Sequence, residues 1–305
     1  MLAYSLSVHK NPGQVSRLMN SLYTSEDFYY INIFGADSHN KQAEWMNHLK
    51  SFEKSNVFFS FKYTDSWGTI DQVKANIDAM IQFKNLNYSF FINLSGQCYP
   101  IKSIRLIKED LSENKYSYIA YNKMPEYCKY ANDKTIYFPP NTKYYYRFEY
   151  CYYPVPNWYL IQLLKGLIRI NKDIKRFIRI PRIRKNFLYT HELYKGSNWF
   201  CLHKDHVNYI LDYLIGHPDY IKFFSTVFCS DEHFFQTILL NSPLKSQIVN
   251  DNLRYIIWDN ATGSPMIFSL NHCAEILGSQ KHFARKFDTE IDSAILDAID
   301  LKIKN

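Results

Sequence analysis

Two short stretches of this 305-residue sequence carry side chains with chemistry to offer. In the first, Ser230, Asp231, Glu232 and His233 stand just before the apolar positions Phe235, Ile238 and Leu239. A carboxylate there is placed to take up a proton. The same pattern also serves a helix, because a Ser cap and acids in the first turn stabilise one by about 0.3–1 kcal/mol. In the second, Arg285 and Lys286 lie between Phe283, Ala284 and Phe287, which read as a partly buried strand. Adjacent like charges in such a strand need a reason, and an anionic ligand is one; a solvated basic pair is the plain alternative. No Asp-x-Asp closes an expected strand. The six cysteines, Cys98, Cys128, Cys151, Cys201, Cys229 and Cys273, lack metal-ligand or disulfide-scaffold spacing and fit a reducing compartment.

Elements that would position these residues are legible in the apolar pattern. Strand Leu2 to Val8 is followed by a helix from Pro12 to Tyr23, with Asn11 as its cap. Strands Phe28 to Ile33 and Val57 to Phe61 come next. A helix from Ile70 to Lys84 follows, with capping-box spacing at Thr69 and Gln72. Strand Tyr88 to Leu94 then runs into Ser-Gly. Such alternation implies an α/β fold, a mixed but mostly parallel central sheet with helices on both faces, whose ligands bind beyond the carboxyl ends of the strands. Regularity fails between about Met124 and Tyr194. It resumes with strand Trp199 to Leu202, helices Lys204 to Ile215 and Asp231 to Leu240, strand Leu253 to Trp258, and a last helix from Ile291. The chain reads as one domain over 1–305, softly divided into a first half (1–123), an insertion (124–194) and a last half (195–305).

Composition narrows the partners. With 47% apolar residues the chain can bury a sizeable core, and the 17% aromatic share offers ring faces on which sugars stack. The bias to Lys, Asn, Ile and Tyr over Ala and Gly is that of an AT-rich bacterial genome. No apolar run reaches the roughly 18–20 residues of a membrane span, so a cytoplasmic location is expected. The net charge of +7 favours an anionic partner such as a nucleotide diphosphate, a lipid surface or nucleic acid. No nucleic-acid-binding motif accompanies it.

Five phrases carry a resemblance: VHKNP, WGTIDQVKAN, INLSGQCYPIKS, YKGSNWFCL and SDEHFFQTILLNSP, followed by NLRYIIW and FARKFD. In this order and spacing, across nearly the whole chain, the sequence resembles the core-2/I-branching enzymes, a family of β-1,6-N-acetylglucosaminyltransferases and peptide O-xylosyltransferases. The resemblance implies a GT-A-type glycosyltransferase fold and inverting transfer from a UDP-sugar to a glycan hydroxyl, with no divalent metal or other cofactor. It implies Glu232 as base, with Asp231 orienting or structural, and Lys286 with Arg285 on the donor diphosphate. It sets Val8 and His9 beside the uracil and ribose, and Gly196, Ser197, Trp199 and Trp258 along the acceptor cleft. Departures fall on the donor side: Cys98 stands where relatives have Asp, and INIFGADSH replaces a His-x-Asp that Asp37 restores only after a small shift. Ala120 and Cys128 replace acceptor-binding charges, so a different acceptor is expected. These departures also motivate a rival reading, an inactive family member that binds a glycan or serves as a scaffold.

One further motif stands apart. From Lys165 to Lys185 there are nine Lys or Arg and one acid, interleaved with Leu, Ile and Phe. Read as a helix ending at Pro181, it either lies on an anionic membrane or packs on the domain with a solvated basic face. The first option makes the enzyme peripheral at the inner face of the cell membrane. There it would build bacterial surface polysaccharide or lipooligosaccharide.

Overall fold

Alternation of apolar strands and amphipathic helices produces the sheet that the sequence implied. The computed structural model describes residues 1–64, 67–113, 115–125, 144–154, 177–183, 186–259 and 263–303. Seven strands make the main sheet: β1 (Leu2–Val8), β2 (Phe28–Ile33), β3 (Val57–Ser60), β4 (Phe90–Ser95), β6 (Ser117–Lys123), β9 (Tyr194–His203) and β10 (Ile248–Val249). The short strand β5 (Tyr99–Pro100) lies outside it. Their order is β10-β6-β9-β4-β1-β2-β3. All neighbouring pairs are parallel except those of β9, which runs antiparallel to both β4 and β6. The N-terminal end of β9 therefore lies at the carboxyl ends of the parallel strands, the edge where a ligand site is expected.

Two apolar layers cover the sheet. On one side, helices Pro12–Leu22 and His39–Leu49 and the last helix, Ala294–Ile303, pack with Tyr4, Leu6 and Ile31. On the other, helices Asp71–Phe83, Lys204–Gly216 and Phe234–Leu240 pack with Ala3, Phe91 and Phe200. Asn11 caps the first helix as expected, its Oδ1 accepting from the Gln14 N–H at 3.0 Å. The expected capping box at Thr69 and Gln72 does not form. Thr69 accepts from the Asp71 N–H, Ile70 occupies the cap, and the Gln72 side chain is drawn away to accept from Asn198.

A second sheet joins β5, β11 (Arg254–Tyr255) and β14 (Phe283–Ala284), and the hairpin of β12 (Trp258–Asp259) and β13 (Ser264–Pro265) extends from it. The single strand expected from Leu253 to Trp258 is thus two short ones, each pairing with a different partner. A further hairpin pairs β7 (Tyr150–Pro154) with β8 (Phe177–Pro181). The expected basic helix is corrected at its end, where Phe177–Pro181 is strand because Phe177 is buried with Tyr152 against Phe228. Its earlier part, 165–176, lies outside the described residues, as does Cys128. Among the described residues the cysteines are free thiols, and no helix is long and apolar enough to cross a membrane.

Candidate active site

Glu232 sits in a single 3₁₀ turn, Ser230–Glu232, not inside the helix, which begins at Phe234. Ser230 does not cap that helix; its hydroxyl is buried without a partner among the described residues. The turn is held from outside, the Cys229 N–H donating to the Gly68 carbonyl at 3.0 Å. The helix itself, Phe234–Leu240, is wholly buried and so anchors the turn rigidly.

Two cations meet one oxygen of Glu232. Arg147 Nη1 lies 2.7 Å and Lys195 Nζ 3.3 Å from Oε2, while Oε1 has no partner among the described residues. The side chain keeps 29% of its surface exposed, so the open oxygen is reachable. Arg147 is buried, its guanidinium 5.1 Å from the Tyr144 ring centre and 5.8 Å from that of Phe228; Lys195 lies 4.5 Å over the same tyrosine. His233 is fully buried, and burial and then the Arg147 charge push its pKa well down. A neutral ring fits its contacts, with Nδ1 donating to the Tyr194 carbonyl at 3.1 Å and Nε2 accepting from Arg147 at 3.2 Å. Desolvation and then the Glu232 charge raise the pKa of half-buried Asp231. Of the two neighbouring acids, Asp231 is the one whose protonated form is favoured by this surrounding.

Cations gather a few residues further along β9, beside Trp199 and the carboxyl end of β4. Arg285 donates through Nη1 to Ser95 Oγ at 3.2 Å, lies 4.3 Å over the Trp199 ring, and keeps a buried Nε without a partner among the described residues. Trp199 is therefore a shelf for a guanidinium, partly buried against the core. Lys286 follows directly, and its pKa is lowered, chiefly by desolvation and then by Arg285 and Lys10. Partial burial, and then the Lys10, Lys286 and Arg285 charges, lower the pKa of His9. The nearby carboxylate, Asp288, is already engaged by Lys10 at 2.6 Å. Among the described residues neither Arg285 nor Lys286 has an acidic partner within ion-pair distance.

A fixed frame carries this basic strap. Gln14 donates to the Gly96 carbonyl at 2.8 Å and the Phe287 carbonyl at 3.1 Å, and its Oε1 accepts from the Thr289 N–H at 2.8 Å. Gln97 and Phe287 join backbone to backbone at 3.0 Å. Cys98 is fully buried in the turn after β4, its Sγ 3.4 Å from both the N–H and the hydroxyl of Ser95. In this chain the Cys98 side chain packs into the turn whose Ser95 holds Arg285.

The remaining expected residues divide. Val8 is fully buried and its carbonyl is taken by the Phe34 N–H at 2.8 Å, so its side chain is packed. Asp37 lies exposed beyond β2, paired with Lys41 at 2.8 Å, which lowers its pKa. Gly196 faces the β6 backbone at a bulge where Ile119 opposes Phe200 but Tyr121 opposes Gly196. Ser197 Oγ accepts from the Trp199 N–H and from Asn252, both at 3.1 Å. Trp258, on its hairpin, is 58% exposed and presents a free aromatic surface. Lys195 and Trp199, four residues apart on β9, link the acid and the basic strap over at most about 13 Å. Sequence reasoning missed Arg147, Lys195 and Tyr144. Lys195 precedes Gly196 in a phrase already singled out, whereas the pairing of Arg147 spans 85 residues and leaves no local signal.

The profile of the Core-2/I-Branching enzyme family matches residues 2–147 and 159–281. The chain belongs to that family. Similar Core-2/I-branching relatives include the β-1,3-galactosyl-O-glycosyl-glycoprotein β-1,6-N-acetylglucosaminyltransferase 4 of Danio rerio, 22% identical over 99% of this chain and 69% of its own length. Xylosyltransferase 2 of Mus musculus is 21% identical over 99% of this chain, and xylosyltransferase 1 of the same species is 23% identical over 98%. This chain spans only 33% and 30% of those two proteins. Among solved structures, S. aureus TarS 1–349 in complex with UDP aligns with all of this chain and 66% of its own, at 12% identity and a TM-score of 0.39. Mouse xyloside xylosyltransferase 1 in its apo form aligns with 92% of this chain and 97% of its own, at 10% identity and a TM-score of 0.36. This Core-2/I-branching enzyme thus brings the carboxylate Glu232 and the cations Arg285 and Lys286 to one edge of its sheet.

Proposed function

We propose that this chain is an inverting, metal-independent glycosyltransferase that moves N-acetylglucosamine or xylose from a UDP-sugar to a glycan hydroxyl. Glu232 Oε1 accepts the hydroxyl proton as the acceptor oxygen bonds to the anomeric carbon. The bond from that carbon to the diphosphate breaks on the opposite face, and its electron pair leaves with UDP. Arg285 and Lys286 neutralise the departing charge, the task a metal ion performs elsewhere. Pinning Oε2 with Arg147 and Lys195 fixes the direction of Oε1 toward the acceptor. The observation that carries this reading is one edge holding both a carboxylate with an open oxygen and a cation pair without a carboxylate.

Calorimetric titration of UDP into wild type and Lys286→Ala, with and without EDTA, tests the donor half. Loss of one charge-assisted contact predicts about ten- to a hundredfold weaker binding in the variant and no effect of EDTA. A binding step that needs divalent metal overturns metal independence. No binding to either protein overturns the transferase reading in favour of a glycan-binding or scaffold role. Glu232→Gln tests the acceptor half: UDP affinity stays while turnover of a UDP-sugar with a glycan acceptor falls by about 10²–10⁴.

A further inference from the structure

The carboxylate of Glu232 receives more positive charge than it can match. Arg147 Nη1 and Lys195 Nζ both close on Oε2, at 2.7 and 3.3 Å, so the two cations stand no farther apart than those contacts together reach. Among the described residues Glu232 is the only carboxylate within ion-pair distance of either. His233 is held neutral by its burial, and the surroundings of Asp231 favour its protonated form. One positive charge is thus left over where Arg147 is buried and the Lys195 side chain is only 21% exposed. Water screens such a pair poorly, and like charges at this range repel. Lys195, the more exposed cation with the longer contact, is the one that repulsion would drive off.

The ring of Tyr144 faces both cations. Lys195 Nζ lies 4.5 Å from its centre and the Arg147 guanidinium 5.1 Å from it. Both are inside the roughly 6 Å over which an aromatic face attracts a cation. The negative face of the ring offsets part of the surplus without a formal charge, so it does not draw either cation off Oε2 as a second carboxylate would. Local chain geometry puts the ring there: Tyr144 stands three positions before Arg147, which lies in the short helix Tyr146–Glu149, and residues three apart share a face where the backbone turns helically. Lys195 arrives from the N-terminal end of β9. Phe228 adds a longer contact, 5.8 Å, to Arg147 alone; among the described residues Tyr144 is the ring that the two cations share.

We propose that Tyr144 is a positioning residue for Glu232: its ring keeps Lys195 and Arg147 together on Oε2, which leaves Oε1 as the open oxygen and fixes where it points. Tyr144 acts through the two cations and not on a substrate. The positioning stands on the contacts themselves, while its effect on turnover rests on the reading of Glu232 as the base.

Two substitutions separate the ring from the hydroxyl. Tyr144→Leu keeps apolar bulk and removes the aromatic face, whereas Tyr144→Phe keeps the ring. In a crystal structure of Tyr144→Leu, Lys195 Nζ is expected beyond the roughly 4 Å reach of an ion pair to Oε2, with Arg147 still in place. Turnover is read as UDP released from UDP-N-acetylglucosamine or UDP-xylose, with water as the acceptor whose proton Glu232 takes. There kcat should fall about two- to thirtyfold in the leucine variant, the span of one cation–π contact, with KM unchanged, and Tyr144→Phe should keep most of the wild-type rate. In a Lys195→Met background the leucine substitution should lower kcat by less than about twofold, because the ring then has no second cation to hold. Both cations remaining on Oε2 in the leucine structure overturns the proposal. So does a phenylalanine variant as slow as the leucine one, or an equal loss of kcat with and without Lys195, which a merely structural ring would give. If wild type releases no UDP, or Glu232→Gln releases it as fast, the reading of Glu232 as base fails, and the structure of the leucine variant still decides the role of Tyr144.

Discussion

Replacing Gly196 with Ala should destabilise the protein although the backbone permits it, since this glycine is not among the residues of positive φ. The added Cβ would lie 2.9 Å from the carbonyl carbon of Ala120, nearer still to its oxygen, and 3.0 Å from Gln236 Nε2. Carbon contacts are comfortable only from about 3.5 Å, so β6 and β9 must part by more than about half an ångström. That displacement strains the bond from Gln236 Nε2 to the Ser197 carbonyl, now 2.7 Å. Overpacking costs about 1–3 kcal/mol, and a weakened hydrogen bond adds about 1. The gain from a stiffer unfolded chain, about 0.4–1 kcal/mol, does not offset this. With an unfolding entropy of about 2 cal/mol/K per residue over 305 residues, a net loss of roughly 2–3 kcal/mol lowers the thermal midpoint by about 3–5 °C. Differential scanning calorimetry reads this directly. A midpoint equal to or above wild type would refute the reasoning, because the bulge would then have room for a methyl group.

Three other perturbations have clear outcomes. Arg147→Met removes the main anchor of Glu232 Oε2, so kcat should fall about tenfold or more with little change in UDP affinity, and Arg147→Lys should recover part of it. Trp199→Ala takes away the shelf under Arg285 and should weaken UDP binding by about two- to thirtyfold in a calorimetric titration. Burial, and then the Lys102 charge, push His282 down to about 4, outweighing its contact with Asp110. The unfolded chain therefore takes up a proton first as pH falls, and stability is lost from about pH 6.5 down to about 4, by as much as roughly 3 kcal/mol. Urea midpoints should drop between about pH 7 and about pH 5, and His282→Asn should flatten the dependence; a flat wild-type profile would contradict it.

Elements whose apolar period is strong were legible before any coordinates. Leu2–Val8 and Phe28–Ile33 have the expected bounds, and Pro12–Leu22 differs by one residue from expectation. Helix His39–Leu49 was passed over because it buries only Trp45 and Leu49 among polar residues. Helix Ile104–Ser112 was missed although Ser103 caps it and Ile107 and Leu111 repeat at helical spacing. For the site, residue type and neighbourhood singled out Glu232, Arg285 and Lys286, and family resemblance supplied their roles. What holds them could not be read locally: Arg147 reaches Glu232, Trp199 carries Arg285, and Ser95 anchors it, each across 85 or more positions of sequence. Trp199 was expected along the acceptor cleft, and a tryptophan in an apolar strand gives no sign that a guanidinium covers it.

The basic strap also dictates an order of assembly. Lys10 meets Asp288, and Asn11 meets Thr289, at separations of 278 residues. The cations near Lys10 thus come from the far end of the sequence, after every strand of the main sheet has been laid down. Closing so long a loop is slow and entropically costly, and few short-range contacts reward it early. A nascent or truncated chain can complete β1 to β4 and yet offer no cation pair to a nucleotide. Binding of an anion at Arg285 and Lys286 would therefore report that the whole chain has closed on itself.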